Sequence, residues 1–423
     1  MSGNKKGGLT PSLTLQFFRK ISLIFGFAQL LPSNFLYSKL PFSCRKISAI
    51  FRTLFGFTVR LIRDFIAKFF FLLNFLAGLY ALLVFQISYA ADIKHWLGGF
   101  LMLSVPVAFA VNLFFLFFYA FSGSLRALLS LIVLVIGYPL IERTIKFSLR
   151  SDEVVDGQRI SLLSYNVMYC DYGAAKNENR KQGVQDLTYG IDTLSADIKC
   201  FQEFYNKDDH PFLNTIRNLK DENPYFTYMH SEIDPSTKNG AIGLATFSKY
   251  PILKKQEISY KINNNGVLIT DILVNADTIR VFNIQLKSMG IRVHKVITSN
   301  EEVRNKETKN ILSQLKSGFE DRSLQVDEIE ELIQKSPYPV IVAGDFNELP
   351  YGYAYGRVKK HLDNAFEEAG FGFGFTYHKL PSFLRIDNIF CDSDHFEVLK
   401  FETLKELENS DHYPIKAEFR IRN

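Results

Sequence analysis

Two stretches without a charged residue, Phe69–Tyr89 and Trp96–Phe121, constrain this chain more than any other feature. At ~1.5 Å per residue, a helix over either one crosses a hydrocarbon layer ~30 Å thick. A third apolar stretch, residues 125–141, is short for a full span and is expected to thin the bilayer or to stop partway. Pro106 is tolerable inside a span, because neighbouring helices can satisfy the backbone groups it frees. The first run begins too late for a cleaved leader and is followed by two more. Asn74, Gln86 and Asn112 are too few polar positions to line a transport path.

Charge divides the chain at about the same place. Residues 1–150 hold 16 Lys/Arg against 3 Asp/Glu, and residues 151–423 hold 33 against 41, so a net +5 hides a +13 part and a −8 part. In residues 1–68, Arg45, Lys46, Arg52, Arg60, Arg63 and Lys68 alternate with Ile, Leu and Phe. That pattern predicts amphipathic helices on an anionic membrane surface. The expected organisation is a basic segment over 1–68 and membrane helices over 69–147 (about 69–89, 96–121 and 125–141). A linker over 148–158 and an acidic, globular-looking domain over 159–423 follow. The Lys/Arg bias before the first span places the N-terminus in the cytoplasm, and three crossings then place the domain outside. Arg143, Lys146 and Arg150 pull the other way, and a third segment that stops partway would leave the domain inside. Four cysteines without CxxC spacing make no zinc site.

From Arg159 onward, short apolar or alternating runs predict strands, at Ile160–Tyr165, Asp197–Gln202, Ala241–Phe247, Val267–Asn275, Ile279–Ile284, Val340–Ala343, Ile386–Cys391 and Ile415–Ile421. Helical patterns fall near 182–195, 211–221, 300–317 and 323–335. The expected fold is an α/β sandwich of two packed sheets, preceded by an all-α transmembrane region. Polar residues gather at the strand ends: Asn166, Glu203, Asn283 with Gln285, Asp345 with Asn347, Asp387, and Asp411 with His412. Hard carboxylates suit Mg²⁺ or Mn²⁺. An imidazole oriented by a carboxylate can deprotonate an attacking water. Together these residue types point to phosphoester hydrolysis.

Five strings make the reading specific: SYNV (164–167), FQEF (201–204), VAGDFNELP (342–350), LRIDNIFCD (384–392) and SDHYPI (410–415). They occur in the order found in the endonuclease/exonuclease/phosphatase superfamily, which this chain resembles over about residues 158–423. The spans ahead of the domain resemble a membrane-anchored bacterial branch of it. The resemblance implies a four-layer α/β sandwich of two mixed sheets and dependence on a divalent metal. It implies metal contacts from Glu203, Asn166 and Asp411. It also implies a general base at His412 oriented by Asp387, with Asp345 and Asn347 aligning the nucleophile and contacting phosphate. Asn283, Gln285, Asn239 and Arg385 are expected on the substrate side.

One position departs from the pattern. Many members carry Asn-x-His-Leu where this chain reads Asn283-Ile284-Gln285-Leu286. Gln285 can donate a hydrogen bond but cannot deliver a proton. The expected activity is a membrane-anchored, Mg²⁺- or Mn²⁺-dependent phosphoesterase in the cell membrane, acting on a phosphodiester or phosphomonoester, a lipid headgroup among them. Phospholipid, nucleotide and nucleic acid are the substrate classes; the bilayer is the other partner, and no protein partner is implied. A tethered nuclease and an inactive binding module are the alternatives. The −8 balance disfavours the nuclease, since gripping a nucleic-acid backbone needs basic surface.

Overall fold

A computed structural model describes residues 42–148, 157–174, 181–229, 240–260, 265–288, 301–379 and 382–422. Asn239, part of the linker and most of the N-terminal segment lie outside them. Compactness divides the chain into units Met1–Leu73 and Asn74–Asn423.

Helix α1 covers Phe42–Ala90, so the expected boundary at residue 68 falls inside a helix. In the first unit its apolar side chains, Phe55, Phe57, Leu61 and Phe65 among them, are exposed. The second unit opens with the rest of α1, followed by α2 (Trp96–Leu103), α3 (Val105–Phe121) and α4 (Ala127–Glu142). The expected second span thus carries a single turn residue at Ser104, and Pro106 sits in the first turn of α3, where its missing N–H costs nothing. Two apolar helical stretches, Thr53–Ala90 and Trp96–Phe121, are long and apolar enough to cross a membrane; Ala127–Glu142 is shorter.

The rest is a two-sheet α/β sandwich. Strand β1 (Ile145–Phe147) is followed by β2 (Arg159–Asn166), α5 (Lys181–Thr193), β3 (Ile198–Lys207), α6 (Thr215–Glu222), β4 (Tyr225–Tyr228), β5 (Gly240–Ser248), β6 (Ile252–Ser259), β7 (Gly266–Val274) and β8 (Asp277–Gln285). Then come α7 (Glu301–Gln334), β9 (Val340–Asp345), α8 (Tyr353–Lys359), β10 (Asp363–Asn364), α9 (Ala365–Ala369), β11 (Phe371–Phe373), β12 (Asp387–Cys391), β13 (Phe396–Thr403) and β14 (Ile415–Ile421). One sheet runs β13-β14-β2-β3-β5-β4 and the other β10-β12-β9-β8-β7-β6; both are mixed. β1 and β11 form a separate antiparallel ribbon.

The period-2 alternation of the strands builds the layers. Leu162, Ile198, Cys200, Ile279, Val281, Ile341 and Ala343 fill the space between the sheets. Their sequence neighbours point outward. Leu163, Tyr165 and Phe201 pack with Val184, Leu187 and Ile191 of α5 and Leu219 of α6. Phe282, Ile284, Val340 and Val342 pack under Val326, Ile329 and Ile333 of α7. Cys170, Cys200 and Cys391 are buried free thiols, so no disulfide joins these three.

Candidate active site

Register alone brings the first residues together. Gln285 at the end of β8 stands level with Asp345 at the end of β9, and Asp345 stands level with Asp387 at the start of β12. On the facing sheet, Asn166 ends β2 beside Gln202 of β3. The β3–β5 ladder shifts register between Phe201 and Phe204, and Glu203, inside the irregularity, takes a left-handed φ of 48°. A bulge re-aims a side chain. Here Phe201 and Phe204 both enter the outer core, while Glu203 accepts a hydrogen bond from Gln285 Nε2 of the other sheet at 2.8 Å. A second link between the sheets runs from Asn166 Nδ2 to Asp345 Oδ2, 3.2 Å.

The loop before β14 closes the cluster. Ser410 Oγ donates to Asn166 O at 2.7 Å, which fixes the loop against β2. His412 Nδ1 is hydrogen-bonded to Asp387 Oδ2 at 2.8 Å, and its Nε2 lies 3.9 Å from Asp345 Oδ2. Asp345 also receives Asn347 N at 2.8 Å and Asn347 Nδ2 at 2.9 Å, and Asn347 Nδ2 donates to Leu286 O as well. Asn347 therefore holds Asp345 with its backbone N–H and one side-chain N–H, while the other side-chain N–H anchors it to Leu286 O. Asn347 has φ 50°, and Gly344 has φ 147° where a Cβ would lie 2.0 Å from Ile284 O. Backbone held in such regions is maintained by its surroundings and concentrates at functional sites.

Burial dominates the electrostatics. It pushes the Asp345 carboxyl up, reinforced by Asp387 and opposed by His412. It pushes Glu203 up too, with Asp411 adding to the effect. Burial alone would lower His412, but the charges of Asp387 and Asp345 outweigh it and hold the imidazolium well above its ordinary range. Four carboxylates, Glu203, Asp345, Asp387 and Asp411, thus surround one imidazole. A divalent cation would correct that imbalance and return His412 toward neutrality. One ligand atom each of Asp345, Asp387 and His412 lies within 4.8 Å of the others, a candidate metal-binding trio among the described residues. The residues present fit a hard cation.

The structure brings Asn166, Glu203, Gln285, Asp345, Asn347, Asp387, Asp411 and His412 to one place. Two residues expected on the substrate side lie in the interior. Asn283 is fully buried between the sheets, donating to Phe201 O and Ala245 O and accepting from Gln202 Nε2. It shares a face of β8 with Gln285 but lies one step deeper. Arg385 is also fully buried; its guanidinium donates to Arg143 O and Asn364 Oδ1 and lies over Phe366. Two contributors carried no sequence signal. Thr376 Oγ1 accepts from both Ile386 N and Asp387 N at 3.1 Å, and the Tyr377 ring stands edge-on to His412 at 5.2 Å.

This fold and site define a phosphoesterase-type scaffold, and the comparisons place it. The chain belongs to the endonuclease/exonuclease/phosphatase family, whose model matches residues 163–412. A second family model, a domain of unknown function (DUF8431), matches residues 67–144. Truncated TDP2 from Caenorhabditis elegans is 19% identical, with 62% of this chain and 98% of that one covered and a TM-score of 0.42. The human Nocturnin catalytic domain with bound sulfate anion is 17% identical, covering 62% and 95%, TM-score 0.42. A family protein from Leptotrichia buccalis C-1013-b is 17% identical, covering 62% and 100%, TM-score 0.41. No curated protein matches the chain.

Proposed function

We propose that the protein is a membrane-anchored, divalent-metal-dependent phosphoesterase acting on a phosphodiester or phosphomonoester at the bilayer surface. The observation that carries this reading is His412 held by Asp387 on one ring nitrogen, with the other turned toward Asp345 in a buried, acid-rich cluster. Asp387 fixes the ring and stabilises the imidazolium that forms. His412 Nε2 takes the proton of the attacking water. Asp345, held by Asn347 and Asn166, aligns that water. Gln285 holds Glu203 in place of a residue that would protonate the leaving group.

Glu203, Asn166 and Asp411 would hold the cation rather than the compact trio, because a base needs His412 Nε2 free of the metal to take a proton. Mg²⁺ or Mn²⁺ there supplies neutralisation of phosphate charge and stabilisation of the leaving oxygen. The absence of a proton donor at Gln285 favours esters whose leaving group needs none. The apolar, outward-facing helices support a lipid headgroup as substrate over nucleic acid, as does the −8 charge of residues 151–423.

The test is turnover by the full chain in detergent on an aryl phosphodiester and its monoester, with Mg²⁺ or with chelator. Metal-dependent turnover is expected, reduced about 10²- to 10⁴-fold in His412→Ala. Turnover unaffected by chelator or by that substitution would refute the reading. The Lys/Arg bias supports an extracytoplasmic domain. Cys391 is buried, so an introduced cysteine at exposed Glu408 is the site to label with an impermeant reagent; labelling only after permeabilisation would overturn that orientation.

A further inference from the structure

The loop that leaves Asp345 and Asn347 does not stay in the sandwich. Tyr351 is buried among Ala81, Val84 and Phe85 of α1, Val105 and Ala108 of α3, and Val133 and Leu140 of α4. Ser88 Oγ donates to Tyr351 O at 2.7 Å. Arg143 Nη1 donates to Pro350 O at 3.0 Å, and the hydroxyls of Thr144 and Tyr351 are 2.9 Å apart. The first of the two acids around His412 is thus six residues from a fixed point on the apolar helices.

The same turn reaches the second acid. Arg385 Nη1 donates to Arg143 O at 2.6 Å, two residues before Asp387. Gly374 N donates to Thr144 O at 2.9 Å, two residues before Thr376, whose hydroxyl receives Asp387 N. Arg143 itself is 5% exposed, with its guanidinium over the rings of Tyr89 and Tyr355. A tether requires none of this, since a polar linker alone would keep a domain at a membrane.

We propose that Arg143, Thr144 and Tyr351 are positioning residues: the C-terminal end of α4 clamps the two loops that carry Asp345 and Asp387, and so sets their spacing about His412. The helical module is then part of the catalytic apparatus. This rests on the reading of His412, Asp345 and Asp387 given under the proposed function. A displaced clamp moves the two acids relative to one another, and a shift of about 1 Å at a reacting group can cost about 10²-fold in rate.

The experiment uses the full chain in detergent, the aryl phosphodiester and saturating Mg²⁺, with a melting temperature for each variant. Arg143→Met is expected to lower kcat about 10- to 100-fold at nearly unchanged KM. Arg143→Lys, which keeps a donor for Pro350 O, should recover part of the loss. Tyr351→Phe, which removes one oxygen, should lower kcat about 3- to 10-fold. Ile132→Ala, on the outward face of α4, should leave kcat unchanged. Wild-type kcat in Arg143→Met overturns the inference, as does a fall in melting temperature without a fall in kcat. If Arg143→Met does not fold, Tyr351→Phe decides in the same way. A wild-type chain without metal-dependent turnover, or His412→Ala with full turnover, would refute the underlying reading and this inference with it. Turnover lost in His412→Ala but kept in Arg143→Met would refute the inference alone.

Discussion

The sandwich and the helical module differ in how much apolar bulk they leave outside. In the sandwich, Val281, Phe282, Ile341 and Val342 are fully buried, while β6 turns Lys254, Lys255 and Glu257 outward. In the helices many large apolar side chains face out: Phe117, Phe121, Leu128, Ile132 and Val135 are exposed, while Phe85, Phe115 and Leu140 are buried. The small and polar ones face in. Asn112 of α3 donates to Ala77 O of α1 at 3.5 Å, Ser130 donates to Asn74 Oδ1, and Gly137 allows Phe85 and Phe109 to approach. Small residues and polar bridges at helix contacts, with bulk outside, suit a module whose surroundings are themselves apolar. The contrast supports a membrane setting more strongly than helix length does.

Four substitutions sharpen the comparison. The largest effect on rate belongs to the site: Asp387→Asn should reduce kcat about 10²-fold or more by freeing the His412 ring, read in the same ester assay. Next is Gly344→Ala, where a Cβ would meet the Ile284 carbonyl and φ is 147°. A loss on the order of 3 kcal/mol is expected, measured by denaturation of the full chain. Phe282→Ala in the sandwich should cost about 3–5 kcal/mol. The same change at exposed Phe117 should cost less than about 0.5 kcal/mol. Equal costs at Phe282 and Phe117 would break the comparison.

A smaller effect follows from pH. His412 is held above its ordinary value of 6.5 in the fold, chiefly by Asp387 and Asp345 against the opposing pull of burial. A group raised on folding contributes stability that is complete below its unfolded value and is lost as pH rises through its folded one. The chelator-treated chain should therefore melt at progressively lower temperature as pH climbs above about 6.5, and His412→Gln should flatten that slope. An unchanged slope in His412→Gln would show that the imidazole is not held by its acids.

Much of this was legible in the sequence because strand parity is. The predicted strands from Ile160 to Ile421 and the acids at their ends follow from alternation and from sharp apolar-to-polar boundaries. Edge strands such as β6 were not legible: Ile252–Ser259 is mostly solvated and shows no apolar face. Parity does not set depth: Asn283 lies on the same face of β8 as Gln285 and is fully buried between the sheets. Arg385 precedes the start of β12, where alternation no longer governs direction. The bulge that turns Glu203, and the clamp from Arg143 to Pro350, depend on contacts between residues far apart in the chain. No local pattern encodes them.

The central claim is that Glu203, with Asn166 and Asp411, holds a divalent cation beside His412, and that His412 is left as the base. Titration of the full chain with Mn²⁺, followed by the loss of free-ion paramagnetic signal, tests it most directly. Saturable binding weakened at least about 10-fold by Glu203→Gln is the predicted result. Binding that survives Glu203→Gln but is abolished by His412→Ala would place the ion in the Asp345–Asp387–His412 trio and contradict the assignment of His412 as base.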